Sequence, residues 1–228
     1  MKSQEIEKYL NKKIMKREFI INEIKGDASK RKYYRALDNH NNSLILMDSS
    51  LEKRNFNNFL KFTDILELNK VNVPKIIDKN IKKRILIMED LGENLIYDKV
   101  NKNNFFKTYE KAILNIFKIQ KIKKNNINSY KKDMYFSESF LFIEWVLNKF
   151  FILKISKSDK RKLLNELHYL INNINIKNNK LIHRDYHSKN LFIKKNKIVI
   201  IDYQDAIYGS PLYDFVSLIN DCYRDIKN

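Results

Sequence analysis

The stretch from Lys180 to Leu218, KLIHRDYHSKNLFIKKNKIVIIDYQDAIYGSPLYDFVSL, decides how the rest of the chain is read. A short apolar run, Leu181 and Ile182, leads into a polar loop from His183 to Asn190. An apolar triplet, Leu191 to Ile193, and a β-branched run, Ile198 to Ile201, then flank a basic turn. This alternation reads as strand, loop and β-hairpin. Asp185 lies in the loop, Asn190 five residues later, and Asp202 just past the last strand. Singly, such residues cap turns. As an ordered set on adjacent strands they can converge on one point.

Phosphoryl transfer asks for that set. The transferred group needs metal ions to neutralise its charge and a carboxylate to orient and deprotonate the attacking hydroxyl. Asp185 is placed to be the base, and Asn190 and Asp202 to be hard oxygen ligands for Mg²⁺. The protein-kinase pattern H-R-D-L-x-x-x-N is matched by His183, Arg184, Asp185, Tyr186 and Asn190. The later D-F-G is matched only at Asp202, because Tyr203 and Gln204 depart from it.

The departures resemble a narrower group. His187 two residues after the base, and DYQDA at Asp202 to Ala206, are similar to the aminoglycoside phosphotransferase family of small-molecule kinases. HRDYHSKNL, IDYQDAIYGSPLYD and VSLINDCYRD resemble its branch of bacterial cell-wall sugar kinases acting on the anomeric hydroxyl of N-acetylmuramate and N-acetylglucosamine. GDASKRKYYR at Gly26 to Arg35, LILMD at Leu44 to Asp48, VNVPKII at Val71 to Ile77 and MEDLG at Met88 to Gly92 extend the likeness over nearly the whole chain. The resemblance implies an α+β, bilobal, protein-kinase-like fold. Its small β-rich nucleotide-binding lobe would span residues 1–90, and a mainly helical catalytic lobe residues 91–228. It implies ATP and Mg²⁺ as cofactors, Asp185 and His187 with Asp205 at the sugar, and Asp214 as support for the catalytic loop. It also implies helices beyond those present here. The expectation is therefore a short helical lobe, covered by a partner chain or a second copy where helix Leu212 to Tyr223 presents apolar residues.

The chain holds 3 glycines, Gly26, Gly92 and Gly209, all within these motifs. Gly26, Asp27, Ala28 and Ser29 sit between apolar runs Phe19 to Ile24 and Tyr33 to Leu37, and read as a shortened phosphate-covering hairpin or as a plain one. Where a protein kinase has its strand lysine, this chain has Met47. Compensating charge is then expected from Lys30, Arg31, Lys32 or Arg35. Glu67 has no such lysine to pair with and reads as a surface residue. Glu89 to Gly92, with Glu89 and Leu91 at the nucleotide, form the expected hinge.

Helical periodicity marks Asn55 to Leu68, a helix around Phe106 to Gln120, another around Phe140 to Phe151, and a third with Ser158 as N-cap. Their aromatic residues read as core packing, with substrate stacking by Trp145 as the alternative. Ser210 and Pro211 read as N-cap and first residue of the last helix.

Bulk properties exclude other classes. The 228 residues are 43% hydrophobic, enough for one large domain or two lobes sharing a cleft. No apolar run nears the roughly 20 residues of a membrane span, and the N-terminus lacks a signal-peptide core. One cysteine, Cys222, builds no disulfide framework, consistent with a reducing cytoplasm. The net charge of +18 is spread from Lys2 to Lys227 among Asn and Ile, as AT-rich codon usage produces, rather than gathered into a nucleic-acid patch. A sugar kinase is the leading reading. A catalytically weak kinase-fold binding or scaffold protein, a kinase for an aminoglycoside or choline, and a nucleic-acid binder are the alternatives.

Overall fold

The computed structural model describes residues 3–13, 19–24, 30–40, 42–123, 126–174 and 177–224. The expected hairpin tip at Gly26, Asp27, Ala28 and Ser29 lies outside the described residues. Helix α1 (Ser3–Lys13) precedes strands β1 (Phe19–Ile24), β2 (Lys32–Asp38) and β3 (Ser43–Asp48); helix α2 (Lys53–Leu68) and strands β4 (Ile76–Asn80) and β5 (Ile85–Glu89) follow. They form one antiparallel sheet in the order β1-β2-β3-β5-β4.

Side-chain alternation along these strands builds two cores. Tyr34, Ala36, Leu46, Ile85 and Ile87 point to one face, where Ile6 and Leu10 of α1 cover them. Met47, Leu86 and Met88 point to the other, onto Phe56, Phe59 and Phe62 of α2. That second cluster continues through Tyr203 to Ile116, Leu181 and Leu218, so one apolar core spans both lobes.

Beyond β5 come the short α3 (Ile96–Lys99), α4 (Phe105–Gln120), α5 (Lys132–Leu141), a π-helical segment (Phe142–Phe150) and α6 (Lys157–Asn173). The decisive stretch then folds as strand β6 (Lys180–Ile182), a 3₁₀ turn (Ser188–Asn190), the hairpin β7 (Leu191–Lys194) and β8 (Lys197–Ile200), strand β9 (Ile207–Gly209) and helix α7 (Tyr213–Ile219). Lys194 pairs with Lys197 across a two-residue turn. Lys195 and Asn196 both take positive φ, 47° and 62°, the backbone a type I′ hairpin needs.

Several boundaries differ from the sequence reading. Val71 to Pro74 makes only an isolated bridge, Asn72 to Val199, and the strand begins at Ile76. Ser156, not Ser158, caps α6, its hydroxyl accepting from Asp159 N at 3.0 Å. Ser210 and Pro211 form a turn, with Leu212 at the cap, and α7 ends at Ile219 because Asp221 draws the chain away into backbone contacts. Helix α1 was not expected, since its apolar stripe is short.

The aromatic residues after Phe140 are not core. Trp145 is 58% exposed and Phe150 77% exposed, and of the π-helical segment only Ile143 is buried. Trp145 carries Lys149 over its ring at 3.6 Å and is not part of the cleft wall.

Gly209 pairs with Lys180 across β6 and β9, and a Cβ there would lie 2.3 Å from Ile182 Cδ1 and 3.0 Å from its Cγ1. Ile182 is fully buried immediately before the loop that starts at His183, so it has little room to yield. Gly209→Ala should therefore cost about 1–3 kcal/mol by overpacking, measured by urea unfolding. An unchanged midpoint would show that Ile182 repacks freely.

Candidate active site

A polar loop holds one geometry only if its backbone groups are tied down. Two carboxylates do this for His183 to Asn190. Asp214, fully buried, accepts from His183 N at 2.8 Å and from Arg184 N at 3.0 Å. Asp221 accepts from Ser188 N at 2.7 Å and turns back to accept from Tyr223 N at 2.9 Å. Between them Tyr186 is driven into the core, where its hydroxyl donates to Ala112 O at 2.8 Å. Burial raises the Asp214 pKa to about 7, opposed by its two backbone donors.

His183 joins the loop to the second motif through Nε2 and Ile201 O, 2.9 Å apart. Among the described residues its buried Nδ1 has no partner, so a second ring proton would have no acceptor there. Burial accordingly lowers its pKa to about 4. The ring is neutral, with Nε2 as the donor.

Asp185, Asn190 and Asp202 come together on one cleft of about 1090 Å³. The Asn190 amide nitrogen is committed to Asp185 O at 3.0 Å and His187 Nε2 at 3.2 Å, which leaves its carbonyl oxygen as the donor atom for a cation. Asp202 sits in the left-handed region at φ 63°, a strained placement for a non-glycine residue. What holds it there is Tyr203, whose ring stacks on Phe59 at 4.9 Å and whose hydroxyl is 2.7 Å from Thr63 Oγ1. The pKa of Asp185 is raised, first by desolvation and then by the charge of Asp202. A raised pKa suits a proton acceptor.

Among the described residues no group of three or more His, Cys, Asp and Glu is placed to hold a metal. An Asp carboxylate and an Asn carbonyl nonetheless fit Mg²⁺, which takes few protein oxygens and completes its shell with water and phosphate.

Arg31 is the cation beside this site. It is buried just before β2, its Nη2 2.8 Å from Asp202 Oδ1, its Nη1 donating to Gln204 Oε1 at 2.9 Å, and its Nε 3.7 Å from Glu52 Oε2. Gln204 in turn donates to Asp202 Oδ1 at 3.1 Å and to Asp205 Oδ2 at 3.0 Å. Met47 faces the apolar core instead. Arg35 is engaged elsewhere, its Nε 2.6 Å from Asp90 Oδ2 at the hinge. Glu89 accepts from Lys75 N at 3.0 Å and pairs with Lys194, while Glu67 is exposed on α2. Glu89, Leu91, His187, Arg31 and Arg35 line the cleft; Asp205 adjoins it through Gln204. Lys30 and Lys32 are exposed, Lys32 lying 3.5 Å from Glu23. Asp221 and Gln204 were not singled out by sequence reasoning, although both lie inside the motifs quoted.

Residues 20–227 match the model of the phosphotransferase enzyme family, APH. An N-acetylmuramate/N-acetylglucosamine kinase of Pseudomonas putida is 28% identical over 199 residues, 87% of this chain and 58% of that protein. One of Neisseria meningitidis serogroup B is 24% identical over 213 residues, 91% and 63% of the two chains. This chain thus spans about three fifths of the length of these relatives. Among solved structures, the choline kinase LicA of Streptococcus pneumoniae superposes with TM-score 0.68 at 14% identity, covering 98% of this chain and 76% of that one. ADP-bound aminoglycoside phosphotransferase APH(2'')-Ib gives 0.66 at 18%, covering 98% and 78%. These similarities show the fold.

Because the folded His183 pKa lies near 4 and the ordinary value is 6.5, the unfolded chain binds more protons between those values. Stability from this group is present above pH 6.5 and is lost as pH falls towards 4, by up to about 3 kcal/mol. Asp214 works in the opposite sense, favouring the fold at low pH and losing that contribution as pH rises through about 7. Comparing urea unfolding of wild type and His183→Gln across pH 4 to 7.5 isolates the histidine. The difference between the two should shrink on acidification; a pH-independent difference would contradict a buried neutral ring.

Proposed function

The chain belongs to the phosphotransferase enzyme family, and from that membership we propose that it transfers the γ-phosphoryl group of ATP to the anomeric hydroxyl of an N-acetylated amino sugar, releasing ADP and the sugar 1-phosphate. The observation that carries this reading is the convergence of Asp185, Asn190 and Asp202 on one cleft, with the Asp185 loop clasped at both ends. The choice of sugar rests on the two amino sugars named for the relatives.

Asp185 is the base. It takes the proton of the sugar hydroxyl as the oxygen closes on phosphorus, and its raised pKa lets it do so without being a strong base. An anomeric hydroxyl is more acidic than an ordinary alcohol, so orientation by the fixed loop supplies much of the rate. Mg²⁺, held by Asn190 and Asp202, would neutralise the phosphate charge and leave the leaving oxygen less basic. Arg31 holds Asp202 in position and presents guanidinium donors to the phosphates, the service a strand lysine would otherwise perform. The hinge carboxylates are already neutralised by Arg35 and Lys194, so this wall does not repel a nucleotide.

A second reading is a kinase-fold binding protein with little turnover, favoured by the apolar Met47. Incubating the chain with Mg²⁺-ATP and a panel of amino sugars, aminoglycosides and choline separates the two. The expected product is acid-labile and gives the phosphorus NMR signal of a sugar 1-phosphate. Asp185→Asn should lower kcat on the order of a hundredfold or more with ATP affinity little changed. Phosphate on the 6-hydroxyl, or wild-type turnover by the variant, would sink the assignment.

Arg31→Met should raise KM for ATP about tenfold or more and weaken the response to limiting Mg²⁺, since it removes the guanidinium that positions Asp202. Arg35→Met, whose wild-type side chain is spent on Asp90, should affect ATP less. Equal effects would return the phosphate charge to both arginines.

A further inference from the structure

One wall of the cleft is fully constructed yet has no part in the chemistry above. Lys189 stands between Asp185 and Asn190 in the sequence of the loop, and its ammonium lies over the ring of Tyr223 at 4.2 Å and of Tyr97 at 5.1 Å. His187 packs its own ring on Tyr223 at 4.9 Å. All four residues line the cleft.

This wall is held from three sides. Arg224 donates to Tyr97 O at 2.9 Å and Val100 O at 2.6 Å, fastening α3 to the C-terminal turn. Asp221 fastens that turn to Ser188 N. Helix α3 also packs on the 3₁₀ turn that carries Lys189. Among the described residues no carboxylate lies within 4.0 Å of Lys189 Nζ. Aromatic faces steady an ammonium but accept none of its three protons in the hydrogen-bonding sense. The result is a positioned cation with donors to spare, on the loop that carries the base.

We propose that Lys189 is the specificity-determining residue for an acidic acceptor, forming an ion pair with a carboxylate carried on the sugar while the Tyr97 and Tyr223 rings flank the sugar body. The proposal rests on the sugar-kinase reading. Between the two amino sugars considered there, only N-acetylmuramate has a carboxylate, on its lactyl ether; N-acetylglucosamine has a hydroxyl in that place. A short ammonium–carboxylate pair in a partly dry cleft favours the acid, whereas ring contacts serve both sugars. The cation also discriminates against a positively charged acceptor such as choline or an aminoglycoside, which it would repel.

The test compares wild type, Lys189→Met and Lys189→Arg. Methionine keeps an unbranched stem over the rings and removes the charge; arginine restores it. Initial rates give kcat/KM for N-acetylmuramate and N-acetylglucosamine, and calorimetry gives their binding constants without turnover. In Lys189→Met the preference for the acidic over the neutral sugar should fall about tenfold or more, through KM and binding rather than kcat, and Lys189→Arg should recover most of it. An unchanged preference ratio would overturn the proposal. So would a rise in KM for ATP matching that for the acid, which would make Lys189 a phosphate ligand. Selective, Lys189-dependent binding of the acid with no phosphoryl transfer by wild type would retain the subsite and remove the kinase reading. Transfer to both sugars with a ratio indifferent to Lys189 would do the reverse, and failure of wild type to bind either sugar would overturn both.

Discussion

The site depends on two buried or nearly buried carboxylates that bind backbone amides. Asp214 takes the amides of His183 and Arg184 at the start of the His183–Asn190 loop, and Asp221 takes that of Ser188 near its end. Hydrogen bonds to a charged acceptor contribute roughly 1.5–3 kcal/mol each, which is enough to select one backbone path for a polar loop. With both ends fixed, Tyr186 can be buried, Asp185 can face the cleft, and Asn190 can lie beside Asp202. Neither carboxylate lines the cleft. Their work is to remove the conformational freedom that would otherwise dilute the correct arrangement.

The sheet imposes a second constraint. Alternation along β3 sends Leu46 to one core and Met47 to the other, and both positions are fully buried. A lysine at Met47 would have to carry an ammonium across an apolar cluster containing Phe56, Phe59 and Tyr203. The chain places its cation at Arg31 instead, just before β2, where the side chain reaches Asp202, Gln204 and Glu52 from the end of that strand. Planar guanidinium geometry suits that role, because several donors point at once to Asp202 and Gln204. Gln204 therefore replaces nothing idle: it relays Arg31 to both Asp202 and Asp205.

Much of this was legible in the residues. Short apolar runs marked β1, β2 and the β7–β8 hairpin, and the order Asp185, Asn190, Asp202 was enough to point to a candidate site at the end of that hairpin. The compensating charge could be narrowed to a hairpin, but not to one residue. Lys30, Arg31, Lys32 and Arg35 are chemically alike in sequence, and only three-dimensional packing shows that Arg35 is consumed by Asp90 while Arg31 reaches Asp202. Asp221 escaped notice because binding a backbone amide leaves no trace in the pattern of the residue that donates it. The aromatic segment after Phe140 misled for a different reason. An apolar run at helical spacing says that burial would be favourable, not that any described element covers it, and only Ile143 of this segment is buried.

The two walls of the cleft draw on different parts of the chain. One side is made by the sheet, with Arg35 and Glu89 set by strand register and Arg31 just before β2. The opposite side is made by α3, the 3₁₀ turn and the turn after α7, with Tyr97, Lys189 and Tyr223 set by loop clasps. Asp185, Asn190 and Asp202 line the same cleft as both. On the proposed reading, substitutions on the second wall change which acceptor is bound while leaving the first side in place. Asp214 and Asp221 lack that freedom, because Asp214 fixes the start of the loop that carries Asp185 and Asp221 ties the same loop to the turn that carries Tyr223. On that proposal, acceptor choice is separable from phosphoryl transfer at side chains, and inseparable from it at the loop backbone.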